Sequence, residues 1–358
     1  MATEADVLKA LESVRDPDLH RDIVALGFVQ RVTIKDGVVS FAIELTTPAC
    51  PVRDQLRDEA ARAVGALPGV TRVDVTMGSR VRSGDTAARP GVLPGVRNVV
   101  PIASGKGGVG KSTVSANLAV ALAMSGAKVG LLDLDVYGPS IPAILGLREE
   151  PKVVEDRLIP PVVHGVKVMS MGFFMKEDEA TIWRGPMLHK VVEQFLMQVE
   201  WGELDYLLMD FPPGTGDVQL SVCQLVPLTG AVIVSTPQDI ALNVARKAIV
   251  MFDRLQTPIL GIVENMSYFV CPHCGEREDI FGTGGAKAAA AKADLPFLGE
   301  IPLATPVRMT ADRGEPIVVS DTASPLAKAF FTVARNLAAQ ISMRNMKAEL
   351  APATTVSF

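Results

Sequence analysis

A glycine-rich loop that contains two lysines has the most clearly defined chemistry in this sequence. The segment Gly105–Ser112 reads GKGGVGKS and matches G-x-x-x-x-G-K-[ST], between an apolar run and a helical stretch to about Met124. Glycines let backbone N–H groups turn inward around phosphate, and the helix N-terminus adds its positive end. In such a loop Lys111 pairs with the β- and γ-phosphates and Ser112 coordinates Mg²⁺. We therefore predict that ATP and Mg²⁺ bind at Gly105, Lys106, Gly107, Gly108, Val109, Gly110, Lys111, Ser112 and Thr113.

Three aspartates end apolar runs and are candidates for holding the metal ion and the attacking water. Asp133 and Asp135 lie at the end of one run, and Asp210 ends the run Tyr206–Met209, as in a Walker B strand. Ligands of open α/β sheets bind at the carboxyl ends of the strands. The i, i+2 spacing puts Asp133 and Asp135 on one face of an extended chain. Beside a P-loop, one carboxylate can orient water and another can hold the waters of Mg²⁺.

The turn Cys271–Gly275 (CPHCG) is a second candidate site, with thiols at Cys271 and Cys274. Two thiolates at this spacing can hold one metal from a tight turn, but a tetrahedral zinc ion or a [4Fe–4S] cluster takes four ligands. The chain has no second CxxC, whereas a symmetric dimer with two facing turns would supply four thiolates. The residues alone leave a cluster, a zinc ion and a redox dithiol open, and His273 is predicted to be solvated.

The remaining two cysteines have less defined environments. Cys50 precedes Pro51, and proline is typical of the first position of a helix. A thiol at a helix N-terminus has a lowered pKa, so a reactive or ligating role competes with that of a partly buried cap. Cys223 lies among apolar residues of a helical stretch and is predicted to belong to the core.

The elements that position these residues fall into two predicted domains. Residues 1–81 alternate helix and strand, with a hairpin at Lys35–Gly37, and predict a small α+β domain. Residues 82–97 are rich in Gly and Pro and predict a linker. Residues 98–345 predict a doubly wound α/β domain with a mostly parallel sheet, and residues 346–358 predict a loose tail.

Seven apolar runs of the larger domain have the composition of strands that are buried on both faces. Pro101 is awkward in the first run because proline removes a ladder donor, but the loop that follows favours a strand there. The runs are Asn98–Ala103, Lys128–Leu132, Val166–Met171, Tyr206–Met209, Ala231–Ser235, Ile259–Val263 and Phe297–Ile301.

The loop sequence KGGVGKST resembles the deviant Walker A motif of the MinD/ParA/nitrogenase-iron-protein group. The resemblance implies that Lys106 reaches across a dimer to the partner's nucleotide and acts in catalysis with Lys111 and Asp135. It also implies that Asp135 orients the attacking water, while Asp133 and Asp210 belong to the Mg²⁺ shell with Ser112. The loop Pro212–Asp217 (PPGTGD) would then sense the γ-phosphate.

The segments DLDVYGPSIP, MDFPPGTGD, VENMS and CPHCG resemble, in this order, the Mrp/ApbC family of iron–sulfur cluster carrier ATPases. The similarity covers about Val96–Leu337. Residues 1–81, with TTPACP at Thr46–Pro51, resemble the small metal–sulfur cluster assembly domain often fused to these ATPases. Pro101 and Phe211 depart from the family pattern without removing a ligand.

The family resemblance implies a homodimer that hydrolyses ATP with Mg²⁺ and contacts adenine through Asn265. It also implies a [4Fe–4S] cluster that bridges the two subunits at Cys271 and Cys274. The partners would be a cluster assembly scaffold and apo iron–sulfur proteins that receive the cluster.

Composition and the cysteine turn weigh against other classes. The chain has 358 residues, 48% of them hydrophobic and 5% aromatic, and its net charge of −5 does not favour nucleic acid as a partner. An N-terminus without a signal-peptide pattern and the lack of a long apolar run predict a cytoplasmic protein without membrane contact. A ParA/MinD-like positioning ATPase has no use for CPHCG, and a nitrogenase-type reductase takes its cysteines from separate single positions. A zinc-clamped dimeric ATPase is a further alternative.

Overall fold

The computed structural model describes residues 2–17, 19–83, 92–136, 138–175, 185–214, 216–271 and 273–350. The chain divides into two compact units, residues 1–82 with 342–358 and residues 83–341. Each unit has a hydrophobic cluster of its own. Within the described ranges, no helix is long and apolar enough to span a bilayer.

The small unit is built on a three-stranded sheet in the order β3-β4-β5. Strands β3 and β4 form the antiparallel hairpin predicted around Asp36, and β5 pairs with β4 in parallel. The predicted α+β fold of the N-terminal region is confirmed. Its elements are α1 (Glu4–Leu11), β1 (Arg15–Asp16), β2 (Arg21–Asp22), β3 (Val29–Lys35), β4 (Val38–Leu45), α2 (Arg53–Gly65) and β5 (Arg72–Ser79).

Alternation along β4 accounts for the core of the small unit. Every second residue of β4 is buried while its neighbours are half-buried, because successive side chains of a strand point to opposite faces. Helix α2 buries one stripe of residues four apart in the same cluster. The buried residues of the two elements are Val39, Phe41, Ile43, Leu45, Leu56, Ala60 and Val64.

The large unit contains a nine-stranded sheet in the order β10-β11-β7-β12-β6-β13-β14-β15, with β16 paired to β14. The pairs among β11, β7, β12, β6, β13, β14 and β16 are parallel, which confirms the predicted mostly parallel sheet. Its strands, with the separate hairpin β8–β9, are β6 (Val99–Ala103), β7 (Val129–Asp133), β8 (Lys152–Val154), β9 (Arg157–Ile159), β10 (Val162–Val163), β11 (Val166–Ser170), β12 (Tyr206–Asp210), β13 (Ala231–Ser235), β14 (Ile259–Val270), β15 (Arg277–Glu278) and β16 (Phe297–Leu303).

Helices follow most of the parallel strands, as expected of crossover connections. A short 3₁₀ helix at Met171–Phe174 also follows β11. The helices are α3 (Lys111–Met124), α4 (Ile141–Ile144), α5 (Gly185–Met197), α6 (Asp217–Leu225), α7 (Asp239–Arg254), α8 (Gly285–Lys292), α9 (Thr305–Asp312), α10 (Ile317–Ser320) and α11 (Pro325–Leu350).

Pro101 occupies the middle of a central strand without breaking the sheet. The N–H of Val99 donates to the Thr229 hydroxyl, and the Val99 carbonyl accepts from the Thr229 N–H. Alternate residues face the same neighbour, so the missing N–H of Pro101 also faces β13. The paired register of β6 with β13 begins only at Ile102. The proline therefore lies just before this ladder starts.

The predicted boundaries differ from the structure at two places. Leu93 and Val96 are buried in the core of the large unit, so the last residues of the predicted linker pack with the domain that follows; residues 84–91 lie outside the described residues. Helix α11 continues to Leu350, and Met346 is buried in the small unit's core. Residues 346–350 are therefore helical and not a loose tail, because their apolar side chain has a core to pack against; residues 351–358 lie outside the described residues.

Candidate functional site

The glycine-rich loop connects β6 to α3 and encloses a cavity of about 320 Å³. Gly108 and Gly110 adopt left-handed φ values of 78° and 77°, which favour glycine. A Cβ atom on Gly110 would collide with Nδ2 of Asn265. The cavity is lined by loop residues together with Asp135, Ser140 and Pro213. The loop thus has the backbone geometry that a phosphate cradle requires.

Lys111 and Asp210 form a buried ion pair beside this cavity. The Lys111 Nζ lies 2.8 Å from Asp210 Oδ2, and the two side chains are 6% and 0% exposed. Ser112 donates its hydroxyl to Asp210 Oδ2 at 2.7 Å, and Ser115 donates to Asp210 Oδ1 at 2.6 Å. The buried Asp210 carboxylate is thus paired with one cation and accepts two hydroxyl hydrogen bonds, which offset the cost of removing its charge from water. Ser115 is a residue that the sequence analysis missed, although it lies one turn after Ser112 on the same helix.

The two aspartates at the end of β7 have different surroundings. Asp135 lines the cavity, and its Oδ2 lies 4.0 Å from Lys111 Nζ. Asp133 is fully buried, and its carboxylate accepts hydrogen bonds from the N–H groups of Asp135 and Ile141 and from the Ser170 hydroxyl. Burial, and secondarily the negative charge of Asp210, raise the pKa of Asp133 to about 7.

A second cavity of about 630 Å³ shares Gly110, Thr113 and Ser140 with the first. Asn265 lines it and donates its side-chain N–H to the Val109 carbonyl at 2.8 Å. Much of the remaining lining comes from β16, α9 and the residue between them, which the sequence analysis missed because their composition is not typical of a ligand site. These residues are Pro302, Leu303, Ala304, Val307 and Arg308. An apolar cavity next to a phosphate cradle fits a nucleotide base.

The loop that carries PPGTGD lies next to the P-loop. The N–H of Gly214 donates to the Ser104 carbonyl at 3.0 Å. Gln219 is buried, and its side-chain N–H donates to the carbonyls of Pro212 and Gly214. Thr215 lies outside the described residues. This contact places the expected γ-phosphate sensor at the edge of the phosphate cavity.

Lys106 lines the same cavity as Lys111 but has a different hydrogen-bond partner. Its Nζ donates to Oε1 of Gln238 at 3.2 Å, and Gln238 immediately precedes α7. The two lysines of the loop therefore have different partners, since Lys111 contacts Asp210 and Ser112.

The cysteine turn closes a hairpin between β14 and β15. The N–H of Cys271 donates to the Glu276 carbonyl and the N–H of Gly275 donates to the Cys271 carbonyl, both at 2.9 Å. Gly275 has a φ of 73°. Hydrogen bonds from the backbone N–H groups of Cys274 and then His273 lower the pKa of the Cys271 thiol. Cys274 and His273 are exposed.

The hairpin supplies two thiols at the surface of the large unit. Among the residues that the structure describes, no group of three or more His, Cys, Asp or Glu side chains could hold a metal ion. One chain therefore offers this turn only the Cys271 and Cys274 thiols as metal ligands within the described ranges.

The remaining cysteines lie apart from this turn. Cys223 packs against the large unit's core, and burial raises the pKa of its thiol to about 11. Cys50 is half-buried against the small unit's core. The expectation that Cys50 sits at a helix N-terminus is wrong: a turn from Arg53 N–H to the Cys50 carbonyl comes first, and α2 begins at Arg53.

The fold and the loop define the class of protein as a P-loop NTPase with a MinD/ParA-like sheet. A solved septum site-determining protein MinD with Mg-ADP from Pyrococcus horikoshii is 25% identical, covers 66% of this chain and 94% of its own, and has a TM-score of 0.51. A nucleotide-binding protein in complex with ADP from Archaeoglobus fulgidus is 44% identical, covers 67% of this chain and 93% of its own, and has a TM-score of 0.58.

The family is defined by two matches that together span most of the chain. Residues 95–338 match the family described as NUBPL iron-transfer P-loop NTPase, and residues 4–75 match that described as iron–sulfur cluster assembly protein. An iron–sulfur cluster carrier protein of Deinococcus radiodurans is 50% identical over 95% of this chain and 96% of its own. The chain belongs to the family of iron-transfer P-loop NTPases, as its motifs predicted.

Proposed function

We propose that this protein is a Mg²⁺-dependent ATPase that carries iron–sulfur clusters and delivers them to apoproteins. The observation that carries the proposal is the course of β14, which ends at Val270, directly before Cys271. The same strand holds Asn265 against the P-loop. The predicted adenine contact Asn265 is thus six positions before Cys271, the first thiol of the turn that follows this strand, and a relative 50% identical carries the name of a cluster carrier.

The residues around the phosphate cavity fit ATP hydrolysis with Mg²⁺. Ser112 and Asp210 offer oxygen ligands within 2.7 Å of each other, and hard oxygen donors suit Mg²⁺. When bound, the ion would neutralise charge that develops on the phosphates. Lys111 would pair with the β- and γ-phosphates, and Asp135 at the cavity wall would orient the attacking water.

Asp133 is less well placed for the metal shell that the sequence suggested. Its three donors are Asp135, Ile141 and Ser170, none of which belongs to the P-loop. Asp210 also has three donors, but two of them are Lys111 and Ser112 of the P-loop. We therefore assign the metal shell to Ser112 and Asp210.

The active form in this proposal is a homodimer. Lys111 already supplies the lysine that contacts the phosphates within its own chain. The function of Lys106 in this proposal is therefore to reach the nucleotide of the partner subunit. Two facing cysteine turns would supply four thiolates, the number that a [4Fe–4S] cluster takes. The lowered pKa of the Cys271 thiol favours the thiolate that binds metal. The cluster is cargo, received from an assembly scaffold and passed to apo iron–sulfur proteins.

A zinc-clamped dimeric ATPase is the second candidate, because two thiolates at the CxxC spacing also suit zinc. The backbone N–H groups of Cys274 and His273 that stabilise the Cys271 thiolate would do so for either metal. A positioning ATPase accounts for the loop but leaves the two thiols without a function.

Cluster delivery tests the proposal. Protein loaded with cluster under anaerobic conditions is mixed with an apo [4Fe–4S] enzyme, and recovery of that enzyme's activity is followed with and without MgATP. We expect activation that depends on Cys271 and Cys274 and changes with MgATP. Cys223→Ser is the matched control, which should transfer like the wild type. Transfer by the Cys271→Ser, Cys274→Ser double variant at the wild-type rate would contradict the assignment.

A further inference from the structure

Two buried carboxylates lie side by side at the carboxyl edge of the sheet. Strands β7 and β12 pair so that Asp133 is opposite Asp210, and β11 places Ser170 opposite Asp133 on the other side. Both carboxylates are fully buried. The two carboxylates share no donor: those of Asp210 come from the start of α3, whereas those of Asp133 come from the loop after β7, the first residue of α4 and β11.

Asp133 ties both ends of the loop after β7 to the sheet. Its Oδ1 accepts from the N–H of Asp135 at 3.1 Å, near the start of the loop. Its Oδ2 accepts from the N–H of Ile141 at 3.2 Å, where α4 begins, and from the Ser170 hydroxyl at 2.9 Å. One side chain thus binds both ends of the segment that carries Asp135 and also holds that segment to β11.

We propose that Asp133 is a positioning residue, which fixes the loop so that Asp135 stands at the phosphate cavity. The inference rests on the proposed role of Asp135 in hydrolysis. It departs from the metal-shell role because no donor of Asp133 belongs to the P-loop, whereas Asp210 accepts from the proposed Mg²⁺ ligand Ser112.

The physical consequence of losing this anchor is a displaced Asp135. The Ile141 N–H and the Ser170 hydroxyl are buried and would lose their acceptor, so the loop would shift to find other partners. A displacement of about 1 Å at a reacting group can reduce a rate by about 100-fold. Most of the lining of the phosphate cavity comes from the P-loop, which Asp133 does not contact, so nucleotide binding should change less than the rate.

Asp133→Asn is the first test, because the asparagine side chain keeps its size but replaces one acceptor oxygen with an amide nitrogen. We expect kcat for ATP to fall by about 10- to 100-fold. The Kd for ATP and the Mg²⁺ concentration at half-maximal rate should each stay within about three-fold of wild type, as expected where the P-loop contacts are intact. Asp210→Asn is the reference for loss of a metal-shell group and should raise the Mg²⁺ requirement.

Ser170→Ala is a second variant that removes one donor of Asp133 without touching the P-loop. It should lower kcat by about three- to ten-fold at unchanged Kd, since one of the three anchoring bonds is lost. This variant decides the question if Asp133→Asn does not fold. An increase of ten-fold or more in the Mg²⁺ requirement of Asp133→Asn would overturn the inference in favour of a metal ligand. Wild-type kcat in Ser170→Ala would also overturn it, because the loop would then not need this anchoring bond.

Asp135→Ala separates failure of this inference from failure of the proposed function. If Asp135→Ala is slow and Asp133→Asn turns over at the wild-type rate, only the positioning role is wrong. If Asp135→Ala turns over at the wild-type rate, the hydrolytic role of Asp135 is wrong and the positioning role of Asp133 is wrong with it.

Discussion

Lys111 Nζ lies 2.8 Å from Asp210 Oδ2, and both side chains are almost wholly shielded from solvent. Because an unpaired buried charge is costly, each residue of this pair stabilises the other. Ser115 completes the arrangement by donating to the second carboxylate oxygen at 2.6 Å. The start of α3 is therefore anchored to the end of β12 by ionic and hydroxyl contacts together.

Ser115→Ala should destabilise the protein more than a serine-to-alanine change at the C-terminal end of α3. Loss of a hydrogen bond to a buried charged acceptor lowers the free energy of unfolding by about 1.5–3 kcal/mol. Ser125→Ala, directly after α3, is the control, because both serines also donate to the carbonyl four residues earlier, and within the described ranges the Ser125 hydroxyl donates to no carboxylate. Denaturant unfolding of the two variants measures the difference, and equal losses would contradict the anchoring role of Ser115.

Lys111→Ala and Asp135→Ala should separate nucleotide binding from hydrolysis. Lys111→Ala removes the phosphate contact and should abolish ATP binding. Asp135→Ala should bind ATP normally while steady-state phosphate release falls by about 100-fold or more, the scale of losing a water-orienting group. Calorimetric Kd values and phosphate release, measured on the same preparations, check both outcomes. Phosphate release near wild type in Asp135→Ala would rule out its role.

Lys106 should act on the partner subunit's nucleotide. In a dimer of one Lys106→Ala and one Asp135→Ala subunit, one site combines an intact Asp135 with Lys106 from the other chain. Equal mixing gives such dimers in about half of all pairs, each with one working site, so about a quarter of wild-type phosphate release should return.

The control for this mixture replaces the Asp135→Ala subunit with a chain that carries both substitutions, which should restore nothing. Recovery no greater than the sum of the separate activities would mean that Lys106 acts within its own chain or has no role. The present contact of Lys106 is with Gln238 of its own chain, so this lysine must leave Gln238 on dimerisation.

Thiol reactivity should differ between Cys271 and Cys223 in the metal-free protein. N–H groups lower the pKa of Cys271, so its reactive thiolate is populated at lower pH than that of an ordinary cysteine. Burial raises the pKa of Cys223 to about 11, so its thiolate appears only as pH rises toward that value. Iodoacetamide at neutral pH should modify Cys271 faster than Cys223, and peptide mapping by mass spectrometry measures the two rates. Unfolded protein, in which the difference disappears, is the control, and equal rates in the folded protein would contradict these environments.

Much of the fold could be predicted because its strands are continuous apolar runs. The run Ala231–Ser235 is a strand with the predicted bounds, and the predicted hairpin at Lys35–Gly37 joins β3 to β4. The P-loop could be located because its glycines, lysine and serine are consecutive in the sequence. Periodicity and local motifs report on neighbours in the chain, and these features depend on such neighbours.

Other parts of the site depend on residues that are distant in sequence. The Ser170 hydroxyl reaches Asp133 only because β11 and β7 pair in register. Lys106 and Gln238 meet across 132 positions. Helix α11 extends past residue 345, the predicted end of the large domain, because Met346 is buried in the core of the small unit. Such contacts follow from the assembled sheet and core, which no local pattern describes.

The metal bound at the cysteine turn is the most direct test of the proposed cluster-carrier function. Protein purified or reconstituted without oxygen is assayed for iron, sulfide and zinc per subunit, together with its absorbance spectrum and its mass in solution. A [4Fe–4S] cluster shared by two chains predicts about two irons and two sulfides per subunit, lost in Cys271→Ser and Cys274→Ser and kept in Cys223→Ser. Stoichiometric zinc without iron uptake would contradict the carrier function, and four irons per monomer would contradict the bridging cluster.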